Sequence, residues 1–160
     1  RRVQNHQRTI NRMPKVHGEM SCLEAAEKKR RELLDSGKCT TVEIAGSLRR
    51  GEYSAHDADL ICFSSDMREN ISTRESLGRV NNCPKVEVYT VNPKHYGAFL
   101  FYLTGPSDYQ IGYRRKAQQQ DMRLNQYGLW KGNELIASET EEEIYRALGK
   151  TWKPPELRGK

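Results

Sequence analysis

The chain has 160 residues, with 27 Lys and Arg against 21 Asp and Glu, a net charge of +6 and an isoelectric point near 9.2. That length allows one compact domain or two small subdomains on a shared core, since domains run to about 100–150 residues, and it excludes a large multidomain enzyme. Hydrophobic residues make up 36% and charged ones 30%, in short separated clusters, which excludes a disordered chain, and no apolar window nears a membrane span.

No stretch like a signal peptide opens the sequence, so an intracellular protein is expected, cytoplasmic or, depending on its source, nuclear or viral. Cys22, Cys39, Cys62 and Cys83 show no CxxC spacing and no His pair at zinc-finger distance, so free reduced thiols are expected. Arg1, Arg2, Arg8, Arg12 and Lys15 all precede the first acidic residue, Glu19. Residues 1–12 read as a basic arm suited to a polyanion, with a solvated tail as the equal alternative.

In chain order, Ser21 stands three residues before Glu24, the spacing of a capping box, and Leu23, Ala26, Arg30, Leu33 and Leu34 recur at helical intervals. A helix over Ser21 to Asp35 follows. Thr41 to Ala45 and Asp59 to Phe63 are short β-prone runs. The polar stretch from Ser64 to Pro84 reads as a connection with one short helix around Arg74 to Val80. Lys85 to Val91 alternates with period two, and Phe99 to Leu103 is an apolar run, so both are expected as strands. After the breaker Thr104-Gly105-Pro106, a helix runs from Ser107 to about Asp121, and a hairpin over Leu124 to Ile136 turns at Lys131-Gly132-Asn133. A last helix is capped by Thr140 with Glu143 and stops at Gly149.

Asp57 and Asp59, two apart at the head of an apolar strand, point to one face, because side chains alternate there. Two like charges side by side ask for a compensating cation, and oxygen ligands suit a hard one, chiefly magnesium. A DxD pair also occurs in solvated turns. Glu87, between Val86 and Val88, is either a third ligand or part of an exposed strand face. Gly46-Ser47-Leu48-Arg49-Arg50-Gly51 offers backbone NH groups, a hydroxyl and a guanidinium fork to phosphates. On the first helix Lys28, Lys29, Arg30 and Arg31, and later Arg114, Arg115 and Lys116, could track a phosphate backbone.

GSLRRGEYSAHDADL, from Gly46 to Leu60, resembles the signature of the DNA polymerase beta family, the family X DNA polymerases. Phe101-Tyr102-Leu103-Thr104-Gly105, Leu124 to Leu129, and Glu141 to Arg158 with its RALG and PPELR are similar to later motifs of that family, in the same order. The resemblance spans Met13 to Arg158, in a minimal form similar to the smallest viral members. It implies an α+β fold: a nucleotidyltransferase palm, a mixed β-sheet packed with helices, over residues 13–103, then a small C-terminal α+β subdomain that selects the nucleotide over 104–160.

The activity implied is DNA-directed DNA polymerisation onto a primer 3'-hydroxyl by a two-metal mechanism, in short gap filling during DNA repair. The implied cofactor is Mg2+, or Mn2+. The implied partners are gapped or primer-template DNA and a deoxynucleoside triphosphate, with no membrane, for a monomer. Asp57, Asp59 and Glu87 become the catalytic and metal-holding carboxylates, although the family has Asp where Glu87 stands. Gly46, Ser47 and Arg50 would hold the triphosphate, Tyr102 and Leu103 would lie near the sugar, Gln110 and Arg114 near the nascent base pair, and Gly105 would complete the nucleotide-binding set. Gly105-Pro106 falls where the family places a cis peptide, and His56 where it has a small residue. Two rivals remain: a nucleotidyltransferase acting on RNA or protein, and a DNA-binding relic impaired in catalysis.

Overall fold

The computed structural model describes residues 21–64 and 72–160. The basic arm therefore lies outside the described residues, as does the start of the expected palm. Helix α1 (Ser21–Asp35) turns Leu23, Ala26, Arg30 and Leu33 inward, the stripe its spacing predicts. It lies on a four-stranded sheet of β1 (Thr41–Ala45), β2 (Asp57–Phe63), β3 (Thr73–Val80) and β4 (Cys83–Thr90), in the order β1-β2-β4-β3. β1 runs antiparallel to β2, β2 parallel to β4, and β3 antiparallel to β4, so the sheet is mixed. Val42, Ile44, Ala58, Leu60, Val86 and Val88 form the core beneath α1.

On the opposite sheet face, Ala45, Ile61 and Val91 meet α3 (Tyr96–Thr104) through Tyr96, Phe99 and Leu100. The remaining elements are α4 (Ser107–Gln119), a small sheet of β5 (Arg123–Asn125), β6 (Gly128–Lys131) and β7 (Glu134–Ala137), and α5 (Glu141–Ala147). Between β1 and β2 stands one helical turn, α2 (Gly46–Arg49). The α+β class, with a mixed sheet followed by a small α+β unit, is the expected one. Among the described residues no helix is long and apolar enough to cross a membrane.

Four local expectations need correction. Phe99 to Leu103 is helical, because α3 is apolar nearly all round: Phe99 and Leu100 pack on the four-stranded sheet while Ala98 and Phe101 enter the core of the terminal unit. A short apolar run carries no period that separates such a buried helix from a strand. Arg74 to Val80 is an edge strand rather than a helix. Its side chains are largely exposed and its register shifts around Gly78, where φ is +62°, so the alternation that marks a strand is absent.

The third correction concerns the thiols: Cys22 and Cys83 form a disulfide that ties α1 to the start of β4. Their separation of 61 residues hides this in the sequence, and only the packing of the helix over the strand brings the Cα atoms to 4.5 Å. Cys39 and Cys62 are free and buried. Fourth, Arg30 does not face a phosphate path, since it is buried against Glu27 with Nε 3.2 Å from Oε2.

The segment that follows β7 is joined directly to α3 and the turn before it. Gly97 and Ala98 donate to the carbonyls of Glu139 and Ser138 at 3.0 Å each, and the Ser138 hydroxyl donates to the carbonyl of Lys94. A Cβ on Gly97 would overlap the backbone of Thr140. Gly97→Ala is therefore expected to cost about 2–3 kcal/mol, because backbone rather than a pliable side chain must move. Urea denaturation measures this, and a loss below about 0.5 kcal/mol, the scatter of a neutral surface change, would show that the crossing is loose.

Candidate active site

β1 ends at Ala45, which pairs with Asp59, and the chain then turns sharply through Gly46 at φ +66°. A Cβ on Gly46 would come within 2.8 Å of the Asp59 Oδ2 atom, so only glycine lets the turn close over that carboxylate. Ser47 follows in the one-turn helix. The parallel register of β2 on β4 sets Asp57 beside Lys85 and Asp59 beside Glu87. Because alternate residues share a face, Asp57, Asp59, Lys85, Glu87 and Tyr89 all belong to one side of the sheet. That strip of mostly charged residues replaces the aliphatic pattern of the opposite side.

Asp57 is exposed and Asp59 is partly buried. Burial, and then the nearby Asp57 and Glu87 charges, push the Asp59 carboxyl up to about 6, with Lys85 opposing. Glu87 is buried and held: Tyr89 donates to its Oε2 at 2.8 Å, Lys85 Nζ lies 3.1 Å from Oε1, and Arg74 approaches to 4.0 Å. The Tyr89 hydrogen bond, chiefly, draws its carboxyl below the usual range against its burial. Among the described residues no three His, Cys, Asp or Glu side chains stand gathered as a metal-holding group. The Asp57 and Asp59 donors nevertheless fit a hard divalent ion in kind, and their mutual repulsion supplies the electrostatic reason for one. His56, next to them, is exposed.

A cleft of about 390 Å³ opens where α3 meets α4, lined by Arg50, Tyr102, Leu103, Gly105, Pro106, Ser107, Gln110 and Arg114. Six of these carry the nucleotide-binding expectation, whereas Gly46 and Ser47 lie at the turn over Asp59 and do not line the cleft. Arg50 reaches into it with one guanidinium nitrogen on the carbonyl of Thr104 at 2.6 Å and the other 3.1 Å from Glu52. Gln110 is buried and donates to the carbonyl of Phe101, which fixes the angle between α3 and α4. The Gly105-Pro106 bond is cis, as expected.

Sequence reasoning passed over the group that supports this cleft from behind. Arg49 is buried, and it donates to the Thr104 hydroxyl at 2.8 Å and bidentately to Glu141 at 2.9 and 2.8 Å. Arg158 grips the same carboxylate from the other side at 2.8 and 3.1 Å, and Trp152 Nε1 adds a bond of 3.1 Å to Oε1. The adjacent arginines thus divide their work, Arg50 facing the cleft and Arg49 locking the turn that carries it onto the terminal unit. Two arginines in sequence carry no sign of which one faces inward. Glu141 opens the acidic run Glu141-Glu142-Glu143, and nothing in that run marks it as the buried member.

Comparison with known proteins bears on these features. Residues 99–159 match the family model described as the DNA polymerase beta thumb. The chain is 27% identical to a repair DNA polymerase X of African swine fever virus (isolate Tick/Malawi/Lil 20-1/1983), over 73% of this chain and 80% of that protein. The counterpart from the isolate Pig/Kenya/KEN-50/1950 matches equally, at 27% over the same shares. A DNA polymerase IV of Saccharomyces cerevisiae is 30% identical over 49% of this chain and 13% of its own length.

Proposed function

We propose that the chain is a member of the DNA polymerase beta family, the family X DNA polymerases, and that it is a DNA-directed DNA polymerase that fills short gaps during repair. The observation that carries the reading is the placement of Asp57 and Asp59 on the sheet face of Glu87, under a Gly46 turn that admits no side chain. The names of the relatives, repair DNA polymerase X and DNA polymerase IV, support the repair setting. The match of the terminal unit to a polymerase thumb favours a DNA primer over an RNA or protein acceptor.

In the proposed reaction the primer 3'-oxygen attacks the α-phosphorus of the deoxynucleoside triphosphate, the bond to the β-phosphate oxygen breaks, and pyrophosphate leaves. Asp57 and Asp59 would hold Mg2+, or Mn2+, and Glu87 would complete the set beside the primer hydroxyl. A divalent ion held by those carboxylates would supply a lowered pKa for the hydroxyl and counter-charge for the phosphates. The protein's own contribution is placement. Backbone NH groups of the Gly46-Ser47 turn and the Arg50 guanidinium face the triphosphate, Tyr102 and Leu103 bound the sugar, and Gln110 and Arg114 flank the base pair.

The deciding experiment is primer extension on a duplex with a one-nucleotide gap. Templated addition is expected with magnesium or manganese and is expected to stop when the metal is chelated. DNA binding without extension in either metal would refute the polymerase reading and leave the binding relic.

A further inference from the structure

Glu87 reaches its carboxylate through three side-chain torsions, so a glutamate placed in a metal site is productive only if something fixes it. Three groups face it, and they are unequal. Lys85 and Arg74 have side chains 57% and 64% exposed, so their charges are screened by water and hold no fixed geometry. Tyr89 is different: it lies two residues along the same strand, is half-buried, and donates a short 2.8 Å bond to Oε2.

We infer that Tyr89 is the positioning residue of the third carboxylate, its hydroxyl anchoring Glu87 Oε2 so that Oε1 is presented toward the Asp57 and Asp59 side of the sheet. Among the described residues Oε1 meets the exposed Lys85 ammonium, a partner a divalent ion can displace, whereas the Tyr89 bond can persist alongside a bound ion. Partners that orient a metal-bound carboxylate in this way typically contribute about 10–100-fold to metal affinity. The inference rests on the proposal that Asp57, Asp59 and Glu87 hold a divalent cation, though it does not require that DNA be the acceptor.

The test is a double-mutant cycle of Tyr89→Phe and Glu87→Asp, read first by Mn2+ binding to the full chain with electron paramagnetic resonance, then by the metal concentration that half-saturates primer extension. Tyr89→Phe is expected to weaken Mn2+ binding about tenfold in the parent. In the Glu87→Asp background it should change binding less than about twofold, because a carboxylate one methylene shorter no longer reaches the phenol. Unfolding curves would confirm that the phenyl ring keeps the fold. Equal losses in both backgrounds, no loss in the parent, or no Mn2+ binding at all would each overturn the inference. A parent that binds Mn2+ in this Tyr89-dependent way yet extends no primer would uphold it while removing the polymerase reading. A parent that extends primers indifferently to Tyr89→Phe would do the reverse.

Discussion

Glu141→Gln is expected to destabilise the protein by about 3–5 kcal/mol, among the largest losses a single substitution outside the Asp57-Asp59-Glu87 strip can cause. The reason is what remains behind. Arg158 and Arg49 have side chains 0% and 6% exposed, and without the carboxylate two buried guanidinium ions would share an enclosed space with no counter-charge. The intact trio is not thereby a large net source of stability, since desolvating its three charges offsets much of their attraction. Its role is to set one arrangement of the Arg49-Arg50 turn against α5.

The same trio fixes an acid dependence. Burial alone would raise the Glu141 carboxyl, but the hydrogen bonds from Arg49 and Arg158 outweigh it and hold the group at about 2. A carboxyl depressed in the folded state contributes stability that is complete above its unfolded value and is lost as pH falls through the folded one. Denaturation midpoints of the parent should therefore drop between about pH 4.5 and 2, and Glu141→Gln should lose that part of the slope. Trp152, bonded to Glu141 Oε1, reports the change by fluorescence. An unshifted midpoint at neutral pH would mean that water reaches the two arginines and solvates them.

What could be seen in the sequence follows from how local each signal is. The amphipathic stripe of α1 and the alternation of β4 are written in neighbouring residues, and both elements form where they are expected. The Asp57-x-Asp59 pair and the glycine turn were legible for the same reason, since two residues on one strand must share a face. Phe99 to Leu103 misled because a helix buried on all sides has no period to show. β3 misled because an edge strand is specified by its partner β4 more than by its own residues. The Arg49-Glu141-Arg158 trio and the Cys22–Cys83 bridge join residues separated by 92, 17 and 61 positions, and no local pattern encodes such a meeting.

Asp59→Asn should do two opposite things at once: strengthen the fold and abolish nucleotide addition. Asn keeps the shape under the Gly46 turn but removes a charge that burial, Asp57 and Glu87 all oppose. A carboxyl raised in the folded state gives stability that declines as pH climbs from the unfolded value, near 3.9, through the folded value of about 6. In chelator at pH 7.5 the variant should therefore be more stable than the parent by on the order of 2 kcal/mol, with the gain fading toward about pH 4. Urea denaturation across that pH range measures it. Primer extension by the variant should fall by about a thousandfold or more, because the cation that would repay the strain has lost its better-enclosed ligand. Adding Mn2+ should then raise the stability of the parent toward that of the variant and leave the variant unmoved, since a ligand stabilises only the form that binds it. A variant no more stable than the parent would show that water already relieves the repulsion at Asp59. A strip of acidic residues that weakens the fold until a cation arrives is what a metal-dependent polymerase site requires, and a merely solvated DxD turn would carry no such strain.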